Sequence, residues 1–251
     1  MIQGMVRTIP PDRFGQLVEL ATKTFIARGY RSTQMADVAE ALNVAKGTLY
    51  GYVESKEALF DAAVRYADGH AALPDAAALP LRTPAAGATV AYIRQRIATE
   101  AMDLVLVHVV GGSVEFPDAA AELAAVLSDL YRRIARNRLA LKLVDRCAID
   151  YPELAAAWFG EGRWAQHRLL VELIETRARR GGLRKVEHSE IVARTLLETL
   201  AFWAMHRHFD SSPQQVEDAD AERAVIDLLV HGLLPQASPR GGAPSRKRVS
   251  P

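Results

Sequence analysis

A single cysteine, Cys147, among 251 residues excludes a disulfide-stapled fold and leaves no thiolate set for a structural zinc. Long apolar runs are equally scarce. The longest charge-free apolar stretch, Leu104–Val114, has eleven residues and includes His108, whereas a membrane span needs about 20 apolar residues. Arg7 and Pro10–Pro11 arrive before any hydrophobic segment, so no secretory signal is expected and a cytoplasmic location follows. Catalytic signatures are missing too. There is no Glu-x-x-His pair, no G-x-S-x-G elbow, no Gly-rich loop ending in Lys-Ser/Thr and no Cys–His nucleophile pattern, so no enzyme activity and no cofactor are expected. His206 and His208 are two residues apart, on different sides of a helix, which is the wrong spacing for a shared metal, and no metal site is expected.

What is present is an ordinary globular composition, 49% hydrophobic and 24% charged, with a mean hydropathy of −0.02 that excludes a disordered or collagen-like polymer. The net charge of +1 hides an asymmetry. Residues 1–56 carry seven Lys/Arg against five Asp/Glu, residues 57–235 carry 20 against 25, and residues 236–251 carry four basic groups and no acid. A mildly basic head, an acidic body and a basic tail are compatible with nucleic acid at one end.

The chain is rich in Ala, Leu and Arg, strong helix formers, and an all-α fold is predicted. Phe14, Leu17, Val18, Ala21 and Phe25 recur at helical spacing, and Gly29 is placed to end that helix. The periodicity predicts helices over 11–28, 34–41, 45–51, 55–71, 88–110, 118–148, 152–180, 188–208 and 214–233. Valines 105, 107, 109 and 110 leave a strand as the alternative near the end of 88–110. Pro117, Pro152 and Pro213 each stand where a helix could start. Pro74, Pro80 and Pro84 mark a loop over 73–87 that separates an N-terminal domain (11–71) from a larger helical one (88–235), and 236–251 has the composition of a disordered basic tail.

Residues 33–56, TQMADVAEALNVAKGTLYGYVESK, read as a helix-turn-helix, with the motif itself at 34–53. Thr33 can cap a short helix. Val38 and Leu42 point inward, with small Ala39 where a second helix crosses, and Asn43 suits a turn position of positive φ. Val44 and Leu49 anchor the second helix, leaving Ala45, Lys46, Gly47, Thr48, Tyr50 and Gly51 outside. Small residues let a backbone come close to DNA, and Lys, Thr and Tyr can bond phosphates or base edges. Lys46 and Lys56 sit at helix starts, where a cation opposes the helix dipole unless an anion such as phosphate is shared. Two solvated surface lysines are the plain alternative.

The run Arg13, Ala21, Phe25, Gly29–Tyr30, Thr33, Asp37–Val38–Ala39, Val44, Lys46–Gly47–Thr48–Leu49–Tyr50 and Ser55–Lys56–Glu57–Ala58–Leu59 resembles the TetR family of bacterial transcription regulators. The resemblance spans residues 11–62. It implies an N-terminal three-helix DNA-binding domain followed by a larger helical domain that binds a ligand and dimerises. It implies contacts to a DNA operator from Lys46, Gly47, Tyr50, Tyr52 and Lys56, with Thr33, Gln34, Ala45 and Thr48 nearby. Gly51, Val53 and Asn43 depart from the family pattern, so the operator sequence does not carry over.

The resemblance also makes the last two helices a homodimer interface, through Val192, Leu196 and Leu200 on one and Ile226, Leu229, Val230 and Leu233 on the other. Burial of both stripes inside one subunit is the alternative. Met102, Phe116, Trp158, Phe159, Trp164, His167 and Trp203 are candidate walls for a small, mostly apolar effector, though each could be plain core. The arginine-rich run 132–146 could receive an anionic ligand or be a solvated, ion-paired face. A repressor released by its effector is the expected function. A ligand-free architectural DNA-binding protein or, further off, a helical enzyme are the alternatives, and an effector-sized cavity in 88–210 separates the first two.

Overall fold

The computed structural model describes residues 11–235; the basic tail predicted at 236–251 lies outside them. Helix α1 (Pro11–Arg28) buries Phe14, Leu17, Val18, Ala21 and Phe25 on one face, as their spacing requires, and ends at Gly29, whose φ is +85°. Helices α2 (Met35–Ala41) and α3 (Lys46–Leu49) follow, joined through Asn43 at φ 54°, and α4 (Lys56–Tyr66) closes the three-helix unit against α1. Ser55 caps α4 by accepting the Ala58 N–H at 3.1 Å.

The segment after α4 is more than a spacer. A short 3-10 turn (Ala76–Ala78) leads back to the helix-turn-helix, where the Leu81 N–H donates to Tyr52 O at 2.8 Å and the Glu54 N–H to Leu81 O at 3.0 Å. Thr83 adds a bond from its N–H to the Glu54 carboxylate at 2.9 Å. The loop is thereby strapped to the turn that follows the recognition helix.

Of the five helices predicted beyond residue 88, four are interrupted. Residues 88–110 split into α5 (Ala88–Met102) and α6 (Val105–Val110), so the valine run is helical. The break is held by the next helix, α7 (Ala119–Arg136): Asp129 accepts the Val105 N–H at 3.0 Å, and Arg133 donates to the carbonyls of Glu100 and Asp103. Helix 118–148 breaks at Asn137, which leaves helical geometry at φ −109°, ψ 21°, and restarts as α8 (Arg138–Cys147). The first N–H groups of α8, from Leu139 and Ala140, are accepted at 2.9 and 2.8 Å by Asp68, which follows α4.

Pro152 starts α9 (Pro152–Ala155), which widens into a π-helical stretch over Ala156–Arg163 before α10 (Trp164–Arg179). Helix α11 (Ser189–Ala204) stops short of 208 in a 3-10 turn (His206–Phe209), and α12 begins at Asp218 rather than at Pro213 (Asp218–Leu233). Buried Arg207 accounts for both limits: it donates to Trp203 O at 2.7 Å, to Val216 O at 2.9 Å and to the Asp218 carboxylate, pinning 211–217 as loop.

Two apolar clusters result. One joins α1–α4 to Val90, Ile93, Leu143, Val144, Cys147, Ala148, Leu154 and Ala157, so α8 and half of α5 share a core with the DNA-binding unit. The other lies among α6, α7, α10, α11 and α12. It contains Leu196, Leu200, Ile226, Val230 and Leu233, which corrects their expected place at a subunit interface: Leu200 is 0% exposed within one subunit. Helix α11 packs against α7 and α10, and α12 against α7 and α11; periodicity alone cannot say whose surface covers a stripe. Val192 and Leu229 remain half-buried, while Ile191, Phe202 and Leu228 are exposed, Leu228 at 69%.

Gly29 packs tightly against the end of α8 and the residues after it. A Cβ there would stand 2.7 Å from both the Arg146 guanidinium and the Asp150 carboxylate, and φ is in the left-handed region. Gly29→Ala is expected to lower stability by about 2 kcal/mol, read as a shift of the urea midpoint with an unchanged slope.

Candidate nucleic-acid interface and ligand cavity

The turn before α2 is built by charge. Gln34 is the N-cap residue, its N–H accepted by Asp37 at 2.8 Å, and Asp37 is paired with Arg28 at 2.7 Å. Thr33 is therefore not the cap. Its hydroxyl donates to Gly29 O at 2.7 Å and the residue is 1% exposed, which removes its side chain from any outer face. Leu49 is fully buried and anchors α3, Val44 is half-buried, and Ala45, Lys46, Gly47 and Tyr50 stand exposed beside half-buried Thr48. Tyr52, expected on this face, is 3% exposed and belongs to the core, whereas Tyr50 is 45% exposed. The reason is one of phase: the chain leaves helical geometry after α3, so Tyr50 and Tyr52 point apart.

Gly47 is informative because nothing in the chain demands it. Its φ is not in the left-handed region, and a Cβ added there would meet nothing within 4 Å. A glycine inside a helix costs about 0.5–1 kcal/mol relative to alanine, so its local cost has no internal return. Lys56, by contrast, has internal partners: Nζ donates to Arg31 O at 3.1 Å and lies 4.6 Å from the centroid of the Tyr30 ring.

Behind this unit, Tyr30, Phe60, Phe25 and Tyr151 form an aromatic junction, with the Tyr30 and Tyr151 rings stacked at 4.9 Å. Burial and the neighbouring Glu57 carboxylate push the Tyr30 phenol well above its usual range. Asp150, beyond the end of α8, accepts the N–H groups of Tyr30 and Arg31 at 3.2 and 3.1 Å. Together with Asp68 at its other end, this clamps α8 to the DNA-binding unit by two carboxylates. Burial raises the Asp68 pKa, against the backbone N–H groups of Ala140 and Leu139 that favour its charged form. Cys147 packs between the same parts, its thiol pushed up to about 12 by burial and therefore inert.

A cavity of about 250 Å³ opens on the opposite side of α8, between α4, α5, α7, α10 and α11. Ile93, Ile97, Leu130, Ile134, Leu141 and Leu197 supply much of its apolar wall. Of the seven effector-site candidates only Trp158 lines it, its indole N–H donated to Asp145 at 3.0 Å. Met102 and Trp164 are exposed, and Phe159 and Trp203 pack against the two cores. His167 is buried with its Nε2 2.9 Å from Glu190 O, and Phe116 borders a separate polar cleft with Glu115, Glu172 and Arg180. The lining residues come from seven helical elements spread along the sequence, so no periodicity could single them out. The hint that did exist was the arginine run, since Arg133, Asn137, Ala140 and Leu141 all border the cavity.

The run is ion-paired rather than open. Arg132 meets Glu222 at 2.8 Å, Arg138 meets Asp218 at 2.5 Å, and Arg133 and Arg136 meet Glu100 at 3.0 and 2.7 Å. Among the described residues no cluster of three or more His, Cys, Asp or Glu could hold a metal, and no helix is long and apolar enough to cross a membrane.

A helix-turn-helix unit with an exposed face on α3 is thus carried on a helical body that borders a cavity. Residues 17–63 match the model of the bacterial regulatory proteins of the tetR family. Over 50 residues it is 48% identical to the uncharacterized HTH-type transcriptional regulator YhgD of Bacillus subtilis, covering 20% of this chain and 26% of that protein. Over 54 residues it is 40% identical to the HTH-type transcriptional repressor KstR2 of Mycobacterium tuberculosis, covering 22% and 27%. The matches thus span about a quarter of the length of these curated relatives. The fold extends further. The structure of the ketosteroid transcriptional regulator KstR2 of Mycobacterium tuberculosis superposes with a TM-score of 0.55 at 15% identity, over 92% of this chain and 100% of that one. A tetR-family regulatory protein from Rhodococcus RHA1 gives 0.52 at 14% identity, over 89% and 98%.

The acidic partner of the arginine run makes a pH test. Burial opposes ionisation of Glu100, but Arg136 and Arg133 overcome it and hold the carboxyl below its ordinary 4.5. A carboxylate with a depressed folded-state pKa contributes stability above its unfolded value and loses it as pH falls through the folded one. Glu100→Gln is therefore expected to unfold at lower urea than the native chain at neutral pH, with the gap closing in acid below about 4.5.

Proposed function

We propose that this chain is a DNA-binding transcriptional regulator, a repressor that leaves its operator when a small, mostly apolar molecule fills the cavity. The observation that carries the DNA-binding part is the exposed face Ala45–Lys46–Gly47–Tyr50, with a glycine that no internal contact explains. A smooth, cationic helix face of this kind suits close approach to a phosphate backbone. Gln34 and Thr48 flank it, and Lys56 reaches phosphate while bonded to the Arg31 carbonyl. The DNA-binding domain is assigned to 11–71 and the ligand-binding and dimerisation domain to 88–235.

The two recognition helices of a dimer must enter successive major grooves, roughly 34–36 Å apart. We assign the dimer contact to the outer stripe Ile191, Thr195, Thr199 and Phe202 of α11 together with Leu228 of α12, since their inner stripes are used within the subunit. Helix α8 is the coupling element. Its Ala140, Leu141 and Val144 border the cavity, while its ends are held to the DNA-binding unit through Asp68 and Asp150. A ligand that displaces α8 changes the spacing of the recognition helices, and linkage makes ligand and DNA weaken each other equally, typically by about 1–3 kcal/mol.

Fluorescence anisotropy with the DNA upstream of the protein's own gene tests the DNA face. Lys46→Ala is expected to weaken binding and to make log affinity against log salt shallower by about 1. Gly47→Ala is expected to raise stability by about 0.5–1 kcal/mol yet weaken DNA binding. Unchanged affinity in both variants removes this reading.

The dimer assignment separates in light scattering. Leu228→Asp is expected to give folded monomers with poor operator affinity, whereas Leu200→Asp, placing a charge in the core, should fail to fold. A folded Leu228→Asp dimer sinks the assignment.

A further inference from the structure

Apart from Arg96 at the rim, the Arg, Asp and Glu side chains that line the cavity are already bonded within the chain. Arg65 is bonded to Asp61 at 2.6 Å and lies 4.1 Å from the centroid of the Tyr92 ring. Arg133 spends its donors on Asp129, Glu100 and two carbonyls. Arg163 is shared between Asp145 and Glu198, and Asp68 is occupied by two backbone N–H groups. Arg96, with contacts no shorter than 3.5 Å, has its side chain 44% exposed at the rim. An ionised ligand would have to break one of these inner pairs and strand its partner in a largely apolar space, which is strongly unfavourable.

Two lining side chains are different. Tyr92 on α5 and Gln166 on α10 line the cavity, and neither side chain has a hydrogen-bond partner among the described residues. About 250 Å³ at liquid density holds on the order of ten heavy atoms.

We propose that the cavity selects a compact ligand that is uncharged at neutral pH, mostly hydrocarbon, with one hydroxyl or carbonyl group read by Tyr92 and Gln166. This rests on the reading of the cavity as the effector site and narrows its chemistry. Tyr92 and Gln166 are its specificity residues, and Trp158 offers an aromatic wall for the hydrocarbon.

The probes are octanol and octanoate, which share a chain and differ in charge. Calorimetric titration of the full chain at neutral pH is expected to show octanol binding at least about tenfold tighter. Tyr92→Phe with Gln166→Met, a near-isosteric pair that should leave the thermal melt in place, is expected to weaken octanol binding by about fivefold to tenfold. It should also narrow the gap to octanoate. Octanoate binding as tightly as octanol, no binding of either, or a double variant that binds octanol as well as the native chain would each overturn the proposal. Repeating the titration against labelled operator DNA scores the regulatory reading separately. Octanol that binds without releasing DNA keeps the ligand chemistry and removes the effector-release mechanism.

Discussion

The molecule depends on α8 being shared. Ten residues are too few for a helix that is stable by itself, and α8 persists because Leu143, Val144 and Cys147 complete the core of the DNA-binding unit. Each end is then fixed by a carboxylate on backbone N–H groups: Asp68, which follows α4, on its first turn, and Asp150, just beyond it, on the α1–α2 turn. The covalent boundary at 73–87 and the physical boundary between cores are therefore different places. The cavity lies directly against α8.

The body solves a recurring problem, the orphaned polar groups of broken helices, with side chains from elsewhere. Asp129 and Arg133 of α7 hold the α5–α6 break, Arg207 holds the loop before α12, and Glu122 pairs with Arg177 at 2.6 Å to join α7 and α10. Among the described residues no buried side-chain nitrogen or oxygen lacks a partner, so this ion-rich interior avoids the penalty of stranded charge. Pairs of this kind contribute little net energy but specify which helix sits against which. They also leave a cavity whose polar wall is electrically closed.

The face proposed to meet DNA follows the opposite logic. There the chain leaves groups uncommitted: Lys46 and Tyr50 exposed, and Gly47 with open space where a side chain would be. Local stability is given up at a surface, as expected where a binding partner supplies the missing contacts. Lys56 stands between the two regimes, tied inward to Arg31 and Tyr30 at the start of α4.

The sequence alone determined the helical class, the face of α1, the positive φ at Asn43, the stop at Gly29 and the exposed string Ala45–Lys46–Gly47. All of these depend on interactions within a few residues, which spacing and residue type encode directly. Only the tertiary structure decided that Thr33 and Tyr52 turn inward, that the long helices break at Asp103, Asn137, Ala155 and Met205, and that the leucine stripes of α11 and α12 are filled within the subunit. It also decided that Trp158 alone of seven aromatic, Met and His candidates reaches the cavity. The clearest of these rest on a partner far along the chain: Asp68 for α8, α7 for the stripes of α11 and α12. A periodic pattern states that a face must be covered or a terminus capped, and the identity of the covering or capping group is settled only when distant segments meet.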